Sequence, residues 1–586
     1  MKSFFKYVFA SALGFILGGF LLLIILFGII GAAVSSLSNE AETEVKDQTV
    51  LEIKFDAPIT DRTSKNPFQQ IGLSGIGDLK AMGLNDILKN IDKAKRDPRI
   101  CGIFFNTGSV PSGPAMLEEI RNALLDFRKE KKFVYAYSEG YSLGGYYVAT
   151  AADKIYLHPE GMLDFRGLQS EIMFFKGAME KLEIEPQVIR HGKFKSAIEP
   201  FILDKMSPEN KLQMQSLIGG IWSHILSGIS KERKIPVNEL QLLADSFISR
   251  VPERAMNAKL VDKVAYYDEF LADLSSAAGW KSKDKEHFVS LDKYDNAYVR
   301  SNKGFSSNKI AVIYAVGEIK DGKGNDQIIG GKSTAEDIRK ARLDTSIKAI
   351  VLRVNSPGGS ALASDVIWRE VVLARKAKPV IASMGNYAAS GGYYISCAAD
   401  SIVAENTTIT GSIGVFGLMF NAQKMFNNKL GITFDTVNTG HFSGLGSMSR
   451  PLRADEKQLM QAEIERIYDG FITKVAEGRR MTKAMVDSLG QGRVWNGAQA
   501  LQIGLVDKEG NLNDAVEMAA RMCKLKNYRV VELPKQKELL EQIMEDFSTS
   551  ARAYIAQGEL GPQYRYYKTI QEVVNSQGIL ARMPRR

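Results

Sequence analysis

The residues best suited to chemistry lie in Asn386-Tyr387-Ala388-Ala389-Ser390-Gly391-Gly392-Tyr393-Tyr394. An apolar strand pattern runs into small residues, then a serine, then paired glycines opening a helix. That context sets a hydroxyl at a helix N-terminus, where the dipole and free N–H groups favour developing negative charge. The glycines let a substrate backbone approach closely. The competing structural reading is an N-cap serine. The spacing is not the Gly-x-Ser-x-Gly elbow of the α/β-hydrolases.

Upstream, Asn355-Ser356-Pro357-Gly358-Gly359-Ser360 follows an apolar strand and precedes a helix. The N–H groups of Gly358 and Gly359 could face a carbonyl oxygen as an oxyanion hole; a tight turn requiring glycine is the alternative. A serine nucleophile also needs a base. Of five histidines, His191 and His441 lie near a repeated strand pattern that also carries Lys195. Lysine can serve where desolvation lowers its pKa. Lys195 stands between Phe194 and Ser196-Ala197-Ile198, an apolar setting, but Lys193 would share its strand face, so spacing leaves both open. A Ser390–His441 pairing as in a conventional triad is a further option.

Gly330-Gly331-Lys332-Ser333 resembles the end of a phosphate loop, but the first glycine is replaced by Asp326, which argues against an NTPase. No HExxH or Cys/His cluster points to a metal, and no cofactor is expected. The cysteines Cys101, Cys397 and Cys523 are far apart and read as small buried hydrophobes.

The elements that must position these residues come as a repeat. Ile91-Asp92-Lys93-Ala94 through Asp97 and Ile100 match Ile338-Arg339-Lys340-Ala341 through Asp344 and Ile347, an offset of 247. The same offset carries Gly144-Gly145-Tyr146-Tyr147 onto Gly391-Gly392-Tyr393-Tyr394 and sets Leu143 against Ser390. At offset 248 the segment around Gly192 meets that around Gly440, and Lys195 meets Ser443. One copy keeps the serine and the other the lysine. Strand patterns at Val50–Phe55, Ile310–Tyr314, Ala349–Leu352 and Pro379–Met384 alternate with helical stretches such as Ala361–Ala374, which indicates an α/β fold with largely parallel sheet. A surface loop is expected around Asn66–Gly77 and a linker at Asp295–Asn308. A long helix is expected at Asp455–Glu477, with Met460, Ile464, Ile467, Phe471 and Val475 on its core face. Beyond Pro534 the pattern is helical to about Ala556, then irregular.

A chain of 586 residues with 45% hydrophobic and 24% charged residues suits two or more folded domains. The net charge of +9 is spread without a basic run, which argues against nucleic acid as a partner. Val8 to Val34 has no charged residue and is long enough to span a membrane, with Lys2 and Lys6 on the flank that stays cytoplasmic. A cleavable signal peptide, with a shorter apolar core, is the alternative.

Taken together, these residues resemble the membrane-anchored signal peptide peptidase A serine proteases in their long duplicated form. The resemblance rests on Arg353-Val354-Asn355-Ser356-Pro357-Gly358-Gly359, Ala388-Ala389-Ser390-Gly391-Gly392-Tyr393, Gly411-Ser412-Ile413-Gly414-Val415, Gly492-Arg493-Val494-Trp495 and Lys193-Phe194-Lys195-Ser196-Ala197-Ile198-Glu199-Pro200. It implies tandem crotonase-like α/β domains, similar to the caseinolytic protease fold, behind an N-terminal transmembrane helix. It implies Ser390 as nucleophile, Lys195 rather than Lys193 as general base, and Ser412 orienting the lysine. The Gly358-Gly359 turn and the Ser390 amide would form the oxyanion hole. The implied organisation is an anchor and tether (1–47), a lysine-bearing repeat (48–300), a serine-bearing repeat (301–535) and an extension (536–586). The implied role is degradation of cleaved signal peptides by a homotetramer on the outer side of a bacterial inner membrane. A non-catalytic crotonase-like binding or scaffold protein is the alternative.

Overall fold

The apolar runs of both repeats become the centres of parallel sheets. A computed structural model describes residues 6–7, 10–11, 13–21, 42–63, 82–281, 287–299, 306–536 and 578–582. The first repeat supplies β1 (Thr49–Ile53), β2 (Ile100–Phe105), β3 (Phe133–Tyr141), β4 (Lys154–Leu163), β5 (Glu185–Arg190), β6 (Lys263–Val264) and β7 (Phe288–Ser290). The rest of the chain supplies β8 (Lys309–Val316), β9 (Glu318–Lys320), β10 (Ile328–Gly330), β11 (Ile347–Ser356), β12 (Gly358–Ser360) and β13 (Val380–Ala389). After these come β14 (Ser401–Ala404), β15 (Ile409–Gly411), β16 (Phe416–Asn421), β17 (Val494–Asn496), β18 (Lys508–Glu509), β19 (Arg529–Leu533) and β20 (Gly578–Arg582).

The first sheet runs β6-β4-β3-β2-β1-β7, with every pairing parallel. The second runs β17-β15-β13-β11-β8-β19, parallel except at β15–β17, with β14 beside β13 and β18. Strands buried on both faces need apolar residues at successive positions, which is what Ile350-Val351-Leu352 provides. The duplication reaches the hydrogen bonds that close each half. Asp153 accepts from the Val134 N–H and Arg128, and Asp400 accepts from the Val380 N–H and Arg375. Likewise Tyr146 donates to the Leu260 carbonyl, and Tyr393 donates to that of Leu505.

A third sheet, β10-β9-β12-β20-β16-β5, is built from both halves. β5 of the first half lies antiparallel to β16 of the second, from Phe416 opposite Arg190 to Asn421 opposite Glu185. Deeper in the interface, buried Arg353 donates to Asp61 at 2.9 Å and to Glu119 at 2.7 Å, both first-half residues. Burial opposes its charge, but those two carboxylates hold the guanidinium above its ordinary pKa.

Several expectations need correction. Lys195 is not on a strand: β5 ends at Arg190, and Gly192 (φ +92°) turns the chain into a loop. The counterpart near Gly440 is not a strand either, and Ser443 lies in an exposed turn. The reason is pairing, since among the described residues Ile432–Val437 has no neighbouring strand equivalent to β16. The tail is not irregular throughout, because residues 578–582 form β20. Cys397 is buried with its thiol pushed up to about 12, but Cys101 and Cys523 are only half-buried.

The long helix runs Ala454–Arg479, with Ile464, Phe471 and Val475 in the core and Met460 and Ile467 packed at its edge. Among the described residues no helix is long and apolar enough to cross a membrane. The expected anchor lies largely outside them. So do the loop at 66–77, part of the expected linker and the expected tail helix to about Ala556.

Candidate active site

Ser390 closes β13 and precedes the helix Gly391–Ser396, with φ +55° and ψ −113°. A positive φ is costly for serine and is held only by its surroundings. Here the Ser390 N–H donates to the Gly411 carbonyl at 2.8 Å, and the Ser390 carbonyl accepts from the Tyr394 N–H at 2.8 Å. The side chain makes no capping bond. In the first half, by contrast, Ser142 does cap its helix, accepting from the Gly145 N–H, while Leu143 takes the register of Ser390. The capping role therefore falls to the first copy, and the Ser390 hydroxyl is left for another partner.

That partner is Lys195. Its Nζ lies 2.8 Å from Ser390 Oγ, 3.1 Å from Ser412 Oγ and 3.2 Å from the Ser412 carbonyl oxygen. Lys195, Ser390 and Ser412 are all buried, and among the described residues no carboxylate is a hydrogen-bond partner of the lysine. Burial alone holds the amine well below the usual lysine range. A neutral amine can accept the Ser390 proton, whereas an ammonium cannot. Lys193, two residues away, is exposed because the loop after Gly192 sends the two side chains different ways.

The lysine is delivered from the first half by a strap of contacts. The Phe194 N–H donates to the Gln491 carbonyl, and the Gln213 amide donates to the Phe194 carbonyl and Ser196 Oγ. Gly492 lies against the Lys195 backbone, and the neighbouring Arg493 carbonyl accepts from the Ser412 N–H at 2.7 Å. Sequence reasoning assigned no role to Gly492-Arg493-Val494-Trp495 or to Gln213. The motif's glycine was the available signal, but its purpose appears only when Lys195 packs on it.

The glycine pair forms a strand, β12, rather than a bare turn. Gly358 has φ +101°, and its N–H donates to Ser356 Oγ at 3.1 Å. A Cβ on Gly359 would meet the Ile319 carbonyl oxygen at 2.0 Å, so only glycine fits beside β9. Two of the expected oxyanion donors are engaged in this structure, the Ser390 amide by the Gly411 carbonyl and the Gly358 amide by Ser356 Oγ. The first N–H groups of the following helix, at Gly391 and Gly392, have no acceptor within that helix.

Neither histidine option survives as a base. His441 is exposed and paired with Asp455, whose carboxyl it holds down at about 2. His191 bonds Glu465 at 2.6 Å and stacks on Tyr468.

Comparison with known proteins places the chain in a family. The model of peptidase family S49 matches residues 126–281 and again 373–526. The chain is similar to Protease 4 of Salmonella typhi, at 37% identity over 89% of this chain and 85% of that protein. It is similar to Protease 4 of Haemophilus influenzae, at 35% identity over 86% and 83%. A chloroplastic serine protease SPPA of Arabidopsis thaliana is 33% identical over 86% of this chain and 74% of its own length. With two matched regions and relatives spanning most of its length, this chain is a serine peptidase and belongs to peptidase family S49, in the long duplicated form.

Proposed function

We propose that the chain is a membrane-anchored endopeptidase working through a Ser390–Lys195 dyad, and that it degrades signal peptides after their release from secreted precursors. The observation that carries this is the 2.8 Å approach of Nζ to Oγ within a buried site where, among the described residues, the amine has no carboxylate partner. Neutral Lys195 takes the Ser390 proton as Oγ attacks a peptide carbonyl. The resulting ammonium then protonates the leaving amine, and water, activated by the same lysine, resolves the acyl-enzyme. Ser412 fixes the amine by its hydroxyl and carbonyl. The oxyanion forms beside the Gly358-Gly359 strand, with the Gly358 N–H turning to it from Ser356 Oγ and the Gly391 N–H taking the role first given to Ser390.

The two halves, 48–300 and 301–535, act as crotonase-like domains that share one site. The uncharged run Val8–Val34 behind Lys2 and Lys6 supports a single-pass anchor in a bacterial inner membrane, with the catalytic part outside the cytoplasm. Self-association is supported by the repeat, and a homotetramer is the form the family resemblance implies. The first-half equivalent of β16, near Leu168–Met173, and the second-half equivalent of β5, Ile432–Val437, are not strands. They expose Leu168, Met173, Ile432, Phe434 and Val437. Joining the first half of one copy to the second half of the next would repeat the β5–β16 contact between copies.

The test is peptide hydrolysis and acyl-probe labelling by purified Ser390→Ala and Lys195→Ala. Both should be folded and inactive, and Ser390→Ala should be unlabelled. Full activity of Ser390→Ala would reject the nucleophile. Absence of both labelling and hydrolysis in the parent chain would favour the binding or scaffold reading.

A further inference from the structure

The long helix of each half is followed by a shorter one, and one aromatic side chain joins the two. In the first half Pro208–Arg233 precedes Val237–Ser246, and Trp222 Nε1 donates to Gln241 Oε1 at 2.7 Å. In the second half Ala454–Arg479 precedes Lys483–Leu489, and the Tyr468 hydroxyl donates to Asp487 Oδ1 at 2.6 Å. Donors and acceptors correspond at one offset of 246. Both long helices end on a left-handed residue, Lys234 and Arg480, at that same offset. The bond is duplicated, but its donor differs. An indole N–H can only donate, whereas a hydroxyl also accepts.

The second half uses that extra capacity. Tyr468 Oη accepts from the Gln491 N–H at 3.2 Å. Gln491 has φ +53°, a left-handed backbone that is costly for a residue with a Cβ and persists where its surroundings fix it. Its carbonyl faces the first half, accepting from the Phe194 N–H at 3.0 Å. The same carbonyl lies against Gly192, where a Cβ would come within 2.4 Å of the oxygen. Gln491 therefore bonds the long helix through its N–H and the lysine loop through its carbonyl. Tyr468 is buried, and its ring stacks on that of first-half His191 with centroids 3.7 Å apart. The His191 N–H donates to the Val415 carbonyl at 3.2 Å, so the β5–β16 pairing continues up to the Gly192 turn. Burial pushes the Tyr468 hydroxyl up, so it keeps its proton for Asp487 and a lone pair for Gln491.

We propose that Tyr468 is a positioning residue for Lys195: its hydroxyl oxygen holds Gln491 in the left-handed turn from which the lysine loop hangs, and this acceptor is what separates it from Trp222 of the first copy. This rests on the peptidase reading of the site. Among the described residues the Tyr468 hydroxyl bonds Asp487 and Gln491 and touches neither Lys195 nor Ser390, so it acts through Gln491 and Phe194. The first copy has no lysine loop to hold at the matching place, and a donor suffices there. Lys195 owes its neutrality to burial. A loop that lifts would let water reach the amine and return it part of the way to its ordinary proton affinity.

The experiment compares the full chain with Tyr468→Phe, which removes the hydroxyl altogether, and with Asp487→Leu, which removes only the partner of its proton. Amide exchange is read at Phe194 and Gln491 in a Ser390→Ala background. In active chains kcat, KM and the pH profile are read with a short peptide. Tyr468→Phe should speed exchange at both amides about tenfold and lower kcat about tenfold, with KM within about twofold. It should also move the midpoint of the kcat/KM profile to higher pH by about 0.5. Asp487→Leu leaves the acceptor in place, so kcat should change by less than about threefold with the midpoint unmoved. Unchanged exchange in Tyr468→Phe would overturn the hold on Gln491. Faster exchange with unchanged kcat and midpoint would overturn the positioning role. Impairment of Asp487→Leu equal to that of Tyr468→Phe would assign the effect to helix pairing and overturn the part given to the acceptor. A parent chain that hydrolyses nothing would strike the peptidase reading, while exchange at Phe194 still decides whether Tyr468 holds the lysine loop.

Discussion

Gly492 of the second half lies flat against Lys195 of the first. A Cβ at 492 would come within 2.6 Å of both the backbone nitrogen and the Cβ of Lys195. Gly492 also has φ +84°, a conformation that side chains resist. Gly492→Ala should push the lysine away from Ser390 without touching substrate. We expect kcat to fall about 100-fold with a smaller change in KM, since displacement by about 1 Å costs that much. Steady-state kinetics beside an unchanged circular dichroism spectrum checks it.

The depressed Lys195 pKa fixes the sign of the pH response. Only the neutral amine is competent, so kcat/KM should rise with pH and level off well below the ordinary lysine value of 10.5. Lys193→Ala should leave the profile in place, as should His441→Ala. A rise that tracks an ordinary lysine would contradict the assignment.

The same burial predicts an exchange of stability for activity. Unfolded Lys195 stays protonated up to about 10.5, whereas the folded amine loses its proton earlier, so the unfolded state binds more protons in between. The penalty is greatest below the depressed pKa and fades as pH climbs toward 10.5. Lys195→Met should therefore abolish hydrolysis while raising Tm by a few degrees at neutral pH, with a gain that shrinks in alkaline buffer. Calorimetry at several pH values reads this directly.

Arg353 ties the halves where the site is assembled. Arg353→Leu leaves Asp61 and Glu119 buried without their cation, which typically costs about 3–5 kcal/mol. The denaturant midpoint should drop accordingly, with activity lost in the same range.

Val437 is exposed on the segment proposed to meet a second copy. Val437→Asp should reduce the sedimenting mass toward the monomer while preserving the monomer's fold. Unchanged mass would place the interface elsewhere.

Much of the site was legible because duplication makes divergence visible. Leu143 against Ser390 and Ser443 against Lys195 mark the specialised positions by register alone. The central strands were legible as well, since β8, β11 and β13 are buried on both faces and read as continuous apolar runs. What periodicity could not reach depends on partners distant in the chain. Gly192 turns because Gln491 lies against it, and the Ser390 amide is consumed by Gly411. Spacing left Lys193 and Lys195 open; the family resemblance chose Lys195, and that turn supplies the physical reason. β20 has no strand signal of its own, because both of its hydrogen-bonding edges come from elements more than 150 residues upstream.

The division of serine and lysine between the copies also constrains the gene. A crossover between the repeats that shortens the chain deletes one register of 247 residues. A product that keeps Lys195 must switch copies after residue 195 and so resumes beyond residue 442, past Ser390. A product that keeps Ser390 must switch before residue 143 and so skips Lys195. No single contraction in register preserves both groups. The tandem arrangement is thus locked against contraction to an active half-length chain, although its sequence still invites the recombination.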